Sequence, residues 1–277
     1  MSTSARVFGK ATVIAAACAV VIAGCGTAQQ STNPRQAISL AAQTSRHITS
    51  LTATETMTMT RAGSAAARFG MSIHLAMRLK PTLLASADAT ATAAGHTFSI
   101  REILTRHAIY MNMGSLGAFL HRPTAKPWIK INLAQIASRF GLARLFRKLG
   151  QGQLTSNPLA QARLFAAATH LRRVGTGMVD GVPATEYSGV LTPSALVKFL
   201  PATQRAALGA VDRVLGHSAV PFQVWIDGQN YIRQLTMRLS AMGMAIRVKL
   251  IITSVNKPVM ITPPPASQVS TMRIPRF

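Results

Sequence analysis

The chain has 277 residues, with 30 Lys and Arg against seven Asp and Glu, a formal net charge of +23, and two cysteines. Two cysteines exclude a disulfide scaffold, and aromatics at 5% without a zinc-finger or RNA-binding signature argue against a nucleic-acid reader. The charge favours polyanions, namely anionic phospholipid headgroups or acidic wall polymers, and reports on surroundings rather than on fold.

Met1 to Lys10 carries Arg6 and Lys10 without an acid, and Ala11 to Ile22 is apolar apart from Thr12. That run is shorter than the ~20 residues a membrane-crossing helix needs. A basic start, a short apolar stretch and small residues at its end are the pattern of a secretory signal. Ile22-Ala23-Gly24-Cys25 resembles the bacterial lipobox, a branched apolar residue and two small ones before a cysteine. The resemblance implies diacylglycerol on the Cys25 thiol and cleavage before it. Residues 1–24 are therefore expected to be a signal peptide, and the mature chain to be lipid-anchored on the extracytoplasmic face of the cell membrane. Each buried CH₂ of an anchor contributes ~0.8 kcal/mol, so two acyl chains hold stably. Cys18 would leave with the signal.

Residues 25–35, with "GTAQQSTNPR" after Cys25, are polar and aperiodic, which predicts a flexible tether spanning about 17–19 Å. Residues 36–269 are expected to form one domain, followed by a basic C-terminal tail, 270–277. From Gln36 the apolar spacing predicts a first helix to about Ser50. "TATETMTMT" then alternates strictly, with Thr52 to Thr60 on one face and Ala53, Glu55, Met57 and Met59 on the other, a half-buried strand. "MSIHLAMRLK" repeats that period. Further strands are predicted at about 82–93, 96–105, 107–113 and 127–131.

The middle is helical in period, over "LAQIASRFGLARLFRKLG" and again over "SNPLAQARLFAAATHLRR". The second of these is predicted to run from an Asn157 cap and Pro158 to Arg172 and Arg173. A hairpin turning at Asp180-Gly181 follows. Thr192-Pro193 opens another helix, and a long meander turns at Asp227-Gly228-Gln229-Asn230 and near Met242-Gly243. Ala266 onward reads as loose chain. Roughly eleven strands in sequential hairpins, with helices in groups, predict an α+β fold built on an antiparallel sheet.

Catalytic and metal signatures are sparse. Asp180 and Asp227 precede turn glycines, where an Asp caps its own backbone. The histidines show no HExxH spacing and no GxSxG elbow is present. No catalytic residue, metal ligand or cofactor is expected. An enzyme would require two or more of Glu55, Asp88, Glu102, Glu186 and the histidines to meet in one cleft. The apolar inventory is richer: methionines on alternating strand faces suit a surface that adapts to irregular apolar ligands. A sheet of this size must also curl.

"VGTGMVDGVPATEYSGVL", "LTPSALVKFLP", "FQVWIDGQNYIRQLTMRL" and "VNKPVMITPPPASQV" occur in the order seen in actinobacterial lipoproteins of the LppX/LprG type, which the chain resembles from about residue 36 to 269. These lipoproteins share the fold of the carrier LolA. The resemblance implies a strongly curved antiparallel half-barrel with helices on its concave face and an apolar cavity between them. It also implies binding or carriage of a lipid or lipoglycan, without covalent catalysis, by what is expected to be a monomer. The alternative is an envelope interaction or sensor module on the same fold without a lipid cargo. Met57, Met59, Leu75, Met77, Leu196, Phe199 and Leu200 are the candidate cavity-lining, lipid-binding residues.

Overall fold

The computed structural model describes residues 33–61, 64–93, 95–115, 126–135, 158–192, 219–241 and 243–271. Asn33 opens helix α1, Pro34–Ser45, by accepting hydrogen bonds from the backbone N–H groups of Arg35 (3.0 Å) and Gln36 (3.4 Å), with Pro34 at the first helical position. A proline there gives up an N–H that the helix would leave unpaired anyway. The helix therefore starts two residues inside the segment expected to be tether. Its buried stripe is Ala37, Ile38, Ala41, Ala42 and Ser45, the spacing of one helical face.

Among the described residues twelve strands form one sheet: β1 Ser50–Arg61, β2 Ser64–Arg78, β3 Leu84–Ala93, β4 His96–Leu104, β5 Ala108–Asn112, β6 Trp128–Asn132, β7 Thr169–Val179, β8 Val182–Leu191, β9 Val220–Asp227, β10 Ile232–Ala241, β11 Met244–Val255 and β12 Val269–Thr271. The spatial order is β12-β6-β5-β4-β3-β2-β1-β11-β10-β9-β8-β7. Every neighbouring pair is antiparallel except β12 with β6. The sheet is open and curved, the half-barrel of the expected α+β class, as a sheet beyond about ten strands must be.

Two sequence expectations are corrected. The helix over 157–173 is a 3₁₀ helix, Pro158–Ala167, among the described residues, and the chain from Thr169 is strand β7. Leu171 packs where β8 has a glycine: a Cβ on Gly189 would lie 2.8 Å from Leu171 Cδ2. Sheet pairing, Thr169 with Val190 and Arg172 with Ser188, outweighs the local helical period. The second correction is the C-terminus. Ala266–Gln268 is a 3₁₀ turn and Val269–Thr271 pairs with Trp128–Lys130, so the sheet continues past residue 269 into the supposed tail. The predicted helices over 133–149 and from Thr192, and the rest of the tail, lie mostly or wholly outside the described residues.

The turns behave as predicted. Val179 faces Val182 across a two-residue loop whose Asp180 and Gly181 have φ of 49° and 76°, the doubly positive conformation that matches strand twist. At the β9–β10 turn the backbone N–H of Asn230 reaches the Asp227 carbonyl at 3.0 Å.

The core lies where α1 and the 3₁₀ helix cover one end of the sheet. Arg35 ties the two helices by donating to the Ala166 carbonyl and, at 3.4 Å, to that of Ala168. Beneath them Ile38, Ile48, Leu51, Ala53, Met77, Ala85, Tyr187, Phe222, Val224, Ile226 and Ile252 form one buried cluster.

Candidate functional site

Residues directly opposed in an antiparallel ladder share a face, as do alternate residues along a strand. Leu51, Ala53, Glu55, Met57 and Met59 of β1 oppose Met77, Leu75, Ile73, Met71 and Phe69 of β2. On the other side they oppose Val255, Ile252, Leu250, Val248 and Ile246 of β11. The same face continues through Leu235 and Met237 to Val224, Phe222 and Tyr187. In the other direction it runs through β3 and β4 to Ile109, Met111, Ile129 and Ile131. Because it holds the buried cluster, this is the face on which the helices pack.

Met57, Met59, Leu75 and Met77 thus all lie on the one inner face. Met77 is buried inside the cluster and Leu75 packs against it, whereas Met57 and Met59 are half-buried beyond it. Leu196, Phe199, Leu200 and the lipidation candidate Cys25 lie outside the described residues.

One feature of this face escaped the sequence reading. Every inner position of β3 is alanine: Ala85, Ala87, Ala89, Ala91 and Ala93. On one side stand Met77, Leu75, Ile73, Met71 and Phe69 of β2, and on the other Leu104, Glu102, Ile100, Phe98 and His96 of β4. Strands β2 and β4 are two strand spacings apart, about 9.5 Å. The missing side-chain volume over β3 is therefore a trough with an apolar β2 wall and a β4 wall in which Leu104, Ile100 and Phe98 alternate with Glu102 and His96. Ala85 is buried under the core, but Ala87, Ala89, Ala91 and Ala93 remain half-buried and in contact with solvent. They span about 20 Å at 3.3 Å per residue. The signal was present in "LASADATATA", where alanine recurs at every second residue, but period two alone predicts only a strand.

The outer face is polar. Thr52, Thr54, Thr56 and Thr58 stand on it, and Thr52 Oγ1 lies 2.7 Å from both Thr253 Oγ1 and Ser254 Oγ. Asp88 and Arg101 form an exposed ion pair there, and Glu186 accepts from Gln223 Nε2 at 2.7 Å. Trp225 crosses this face to Gly177, where a Cβ would sit 3.0 Å from the indole ring. The Gly-rich hairpin and the Val-Trp-Ile-Asp stretch are thereby one packing unit.

The carboxylates named for an enzyme are split between faces. Asp88 and Glu186 lie outside; Glu55 and Glu102 lie inside, on strands three spacings apart, about 14 Å along the sheet. Carboxylate pairs that cooperate in glycoside hydrolysis stand within about 5–9.5 Å. Among the described residues no three His, Cys, Asp or Glu side chains gather as metal ligands. Tyr187, 1% exposed on the inner face, has its phenol pushed above the ordinary value by burial, an effect the charge of Arg173 partly offsets.

No family model and no curated protein matches the chain. Among solved structures it superposes on LprF from Mycobacterium bovis with a TM-score of 0.50 and 14% identity, over 85% of this chain and 98% of that one. MucB aligns over 87% of this chain and 63% of its own, with 14% identity and a TM-score of 0.34. A LolA superfamily protein from Nitrosomonas europaea gives 10% identity and 0.28, over 79% and 92%. The chain shares the fold of LprF, an open, curved half-barrel sheet as the sequence resemblance implies. No helix among the described residues is long and apolar enough to cross a membrane.

Proposed function

We propose that the protein is a membrane-anchored cell-envelope lipoprotein that binds or carries a lipid on the inner face of its sheet, without covalent chemistry. The observation that carries this reading is the alanine trough. A row of small, solvent-contacting residues between an apolar wall on β2 and a largely apolar one on β4 has the width and length that an extended acyl chain needs. Burial contributes about 0.8 kcal/mol per methylene, so ten methylenes contribute about 8 kcal/mol before the cost of ordering the ligand. Met57, Met59 and Met71 on the neighbouring strands supply adaptable apolar contacts. Leu196, Phe199 and Leu200 belong to the same proposed lining on the strength of the sequence pattern. Cys25 is the proposed lipidation site, with membrane attachment through its acyl groups. The outer face, with Arg238, Arg247 and Lys249 among threonines, is the side suited to anionic headgroups or wall polymers.

Native mass spectrometry of the non-acylated domain, purified from a bacterial membrane background, tests the reading. Adducts with lipid masses, removed by delipidation and restored by an uncharged fluorescent acyl ester, are expected. Consistent absence of both would sink it and favour the alternative, an envelope interaction or sensor module with no cargo.

A further inference from the structure

Charge is not distributed evenly between the two faces. The inner positions of β1 up to Met59, with those opposite them on β2 to β6, β10 and β11, hold no lysine or arginine. The cations of these strands stand on the outer face: Arg247 opposes Thr58 and Arg238, and Lys249 opposes Thr56 and Thr236. In a chain of net charge +23, the charged groups of this apolar area are two carboxylates, Glu55 and Glu102. Among the described residues, the inner-face cations nearest in the strand order are Arg61, exposed at the hairpin end of β1, and Arg173, opposite Tyr187 on edge strand β7, with the imidazole of His96 at the hairpin end of β4.

Glu55 is the more telling of the two. It lies midway along β1, near the centre of the sheet, opposed by Ile73 and Leu250, with Ala53 and Met57 as its neighbours on the face. Leu51 and Ala53 before it are 1% and 3% exposed, so Glu55 is the first inner residue of β1 beyond the packed core. It is half-buried and, among the described residues, makes no hydrogen bond or ion pair. A carboxylate partly stripped of water among apolar groups is costly unless donors reach it, and binding cavities fix ligand orientation with few such groups.

Resting on the lipid-binding reading above, we propose that Glu55 is a specificity-determining residue for the ligand's head group. It accepts hydrogen bonds from a head that carries N–H or O–H donors, an ammonium or a polyol, and it repels an anionic head. The inner face thus selects against the anionic groups that the outer face attracts.

Three amphiphiles sharing a twelve-carbon chain test this by displacement of an uncharged fluorescent acyl ester: dodecylamine, monolauroylglycerol and laurate. The wild-type domain is expected to prefer the first two. Glu55→Gln, which keeps the shape, should weaken dodecylamine about tenfold, the worth of one charge-assisted hydrogen bond. Glu55→Lys should reverse the order in favour of laurate. A loss confined to the amine assigns an ammonium head, and an equal loss for the monoglyceride assigns a polyol; both support the inference. Uptake of all three probes with an order that neither substitution changes, in variants with wild-type melting temperature, overturns it and leaves the lipid reading standing. No uptake of any probe by the wild type overturns both.

Discussion

Asp227 accepts the Nε–H of Arg233 on one carboxylate oxygen at 2.6 Å, and on the other the backbone N–H groups of Gln229 and Tyr231 at 2.9 Å each. The two side chains are 4% and 13% exposed. Turn geometry and ion pairing are therefore one structure, and removing either partner strands a poorly solvated charge. Asp227→Ala should lower unfolding free energy by about 3 kcal/mol, read from urea denaturation. A loss below about 1 kcal/mol would mean that solvent replaces the carboxylate.

Gly177 and Trp225 set a second expectation. Any side chain at 177 meets the indole, so Gly177→Val should destabilise by about 1–3 kcal/mol and alter the tryptophan emission. Gly175→Val is the control, because a Cβ there meets nothing within 4 Å. Equal effects at both positions would trace the loss to the strand backbone instead.

The trough makes its own prediction. Ala89→Leu or Ala91→Leu should fill it and reduce uptake of an uncharged acyl probe several-fold, while thermal stability stays near wild type, since both alanines are half-buried. Unchanged uptake would move the binding surface elsewhere on the inner face.

Tyr187 carries a pH dependence whose sign follows from burial. Its phenol is raised above the ordinary value of about 10. Above that pH the unfolded chain releases the proton while the folded one keeps it, so the unfolded state binds fewer protons and stability falls. Below it both states hold the proton and the contribution is constant. Denaturation of wild type and Tyr187→Phe between pH 8 and 11.5 checks this: the wild type should lose more stability across the alkaline range. Parallel curves would remove Tyr187 as the cause.

Attachment is tested at Cys25. Cys25→Ser should abolish labelling by an alkyne fatty acid in the native host and shift the protein from the membrane to the soluble fraction. Retained labelling or membrane association would place the anchor elsewhere.

The strands were largely legible because period two is a local property. The Thr/Met alternation of β1 and the hydrophobic alternation of β2 already separate an inner from an outer side. The turn at Asp180-Gly181 was legible for the same reason, since two residues carry its backbone requirement. Asn33-Pro34 is an equally local cap, the same pair of residues that stands at 157–158. A polar, aperiodic stretch before it obscured the start. The strand at Thr169 is masked in the sequence because Leu171, Arg172 and Arg173 continue a helical period with suitable terminal charges. The pairing of β7 with β8 and the space left by Gly189 show that Leu171 belongs to a sheet.

The sequence by itself determined which side chains share a face on each strand, because alternation is built into the extended backbone. The tertiary structure decided which strands adjoin. It set β1 against β11, from the far end of the chain, so that Glu55 stands between Ile73 and Leu250 at the middle of the sheet. It set β3 between β2 and β4, so that five alanines became a trough instead of a weak strand. Pairing of this kind is chosen by the collective fit of registers and core, and at β1–β11 and β6–β12 it joins segments remote in sequence. No local stretch carries that information.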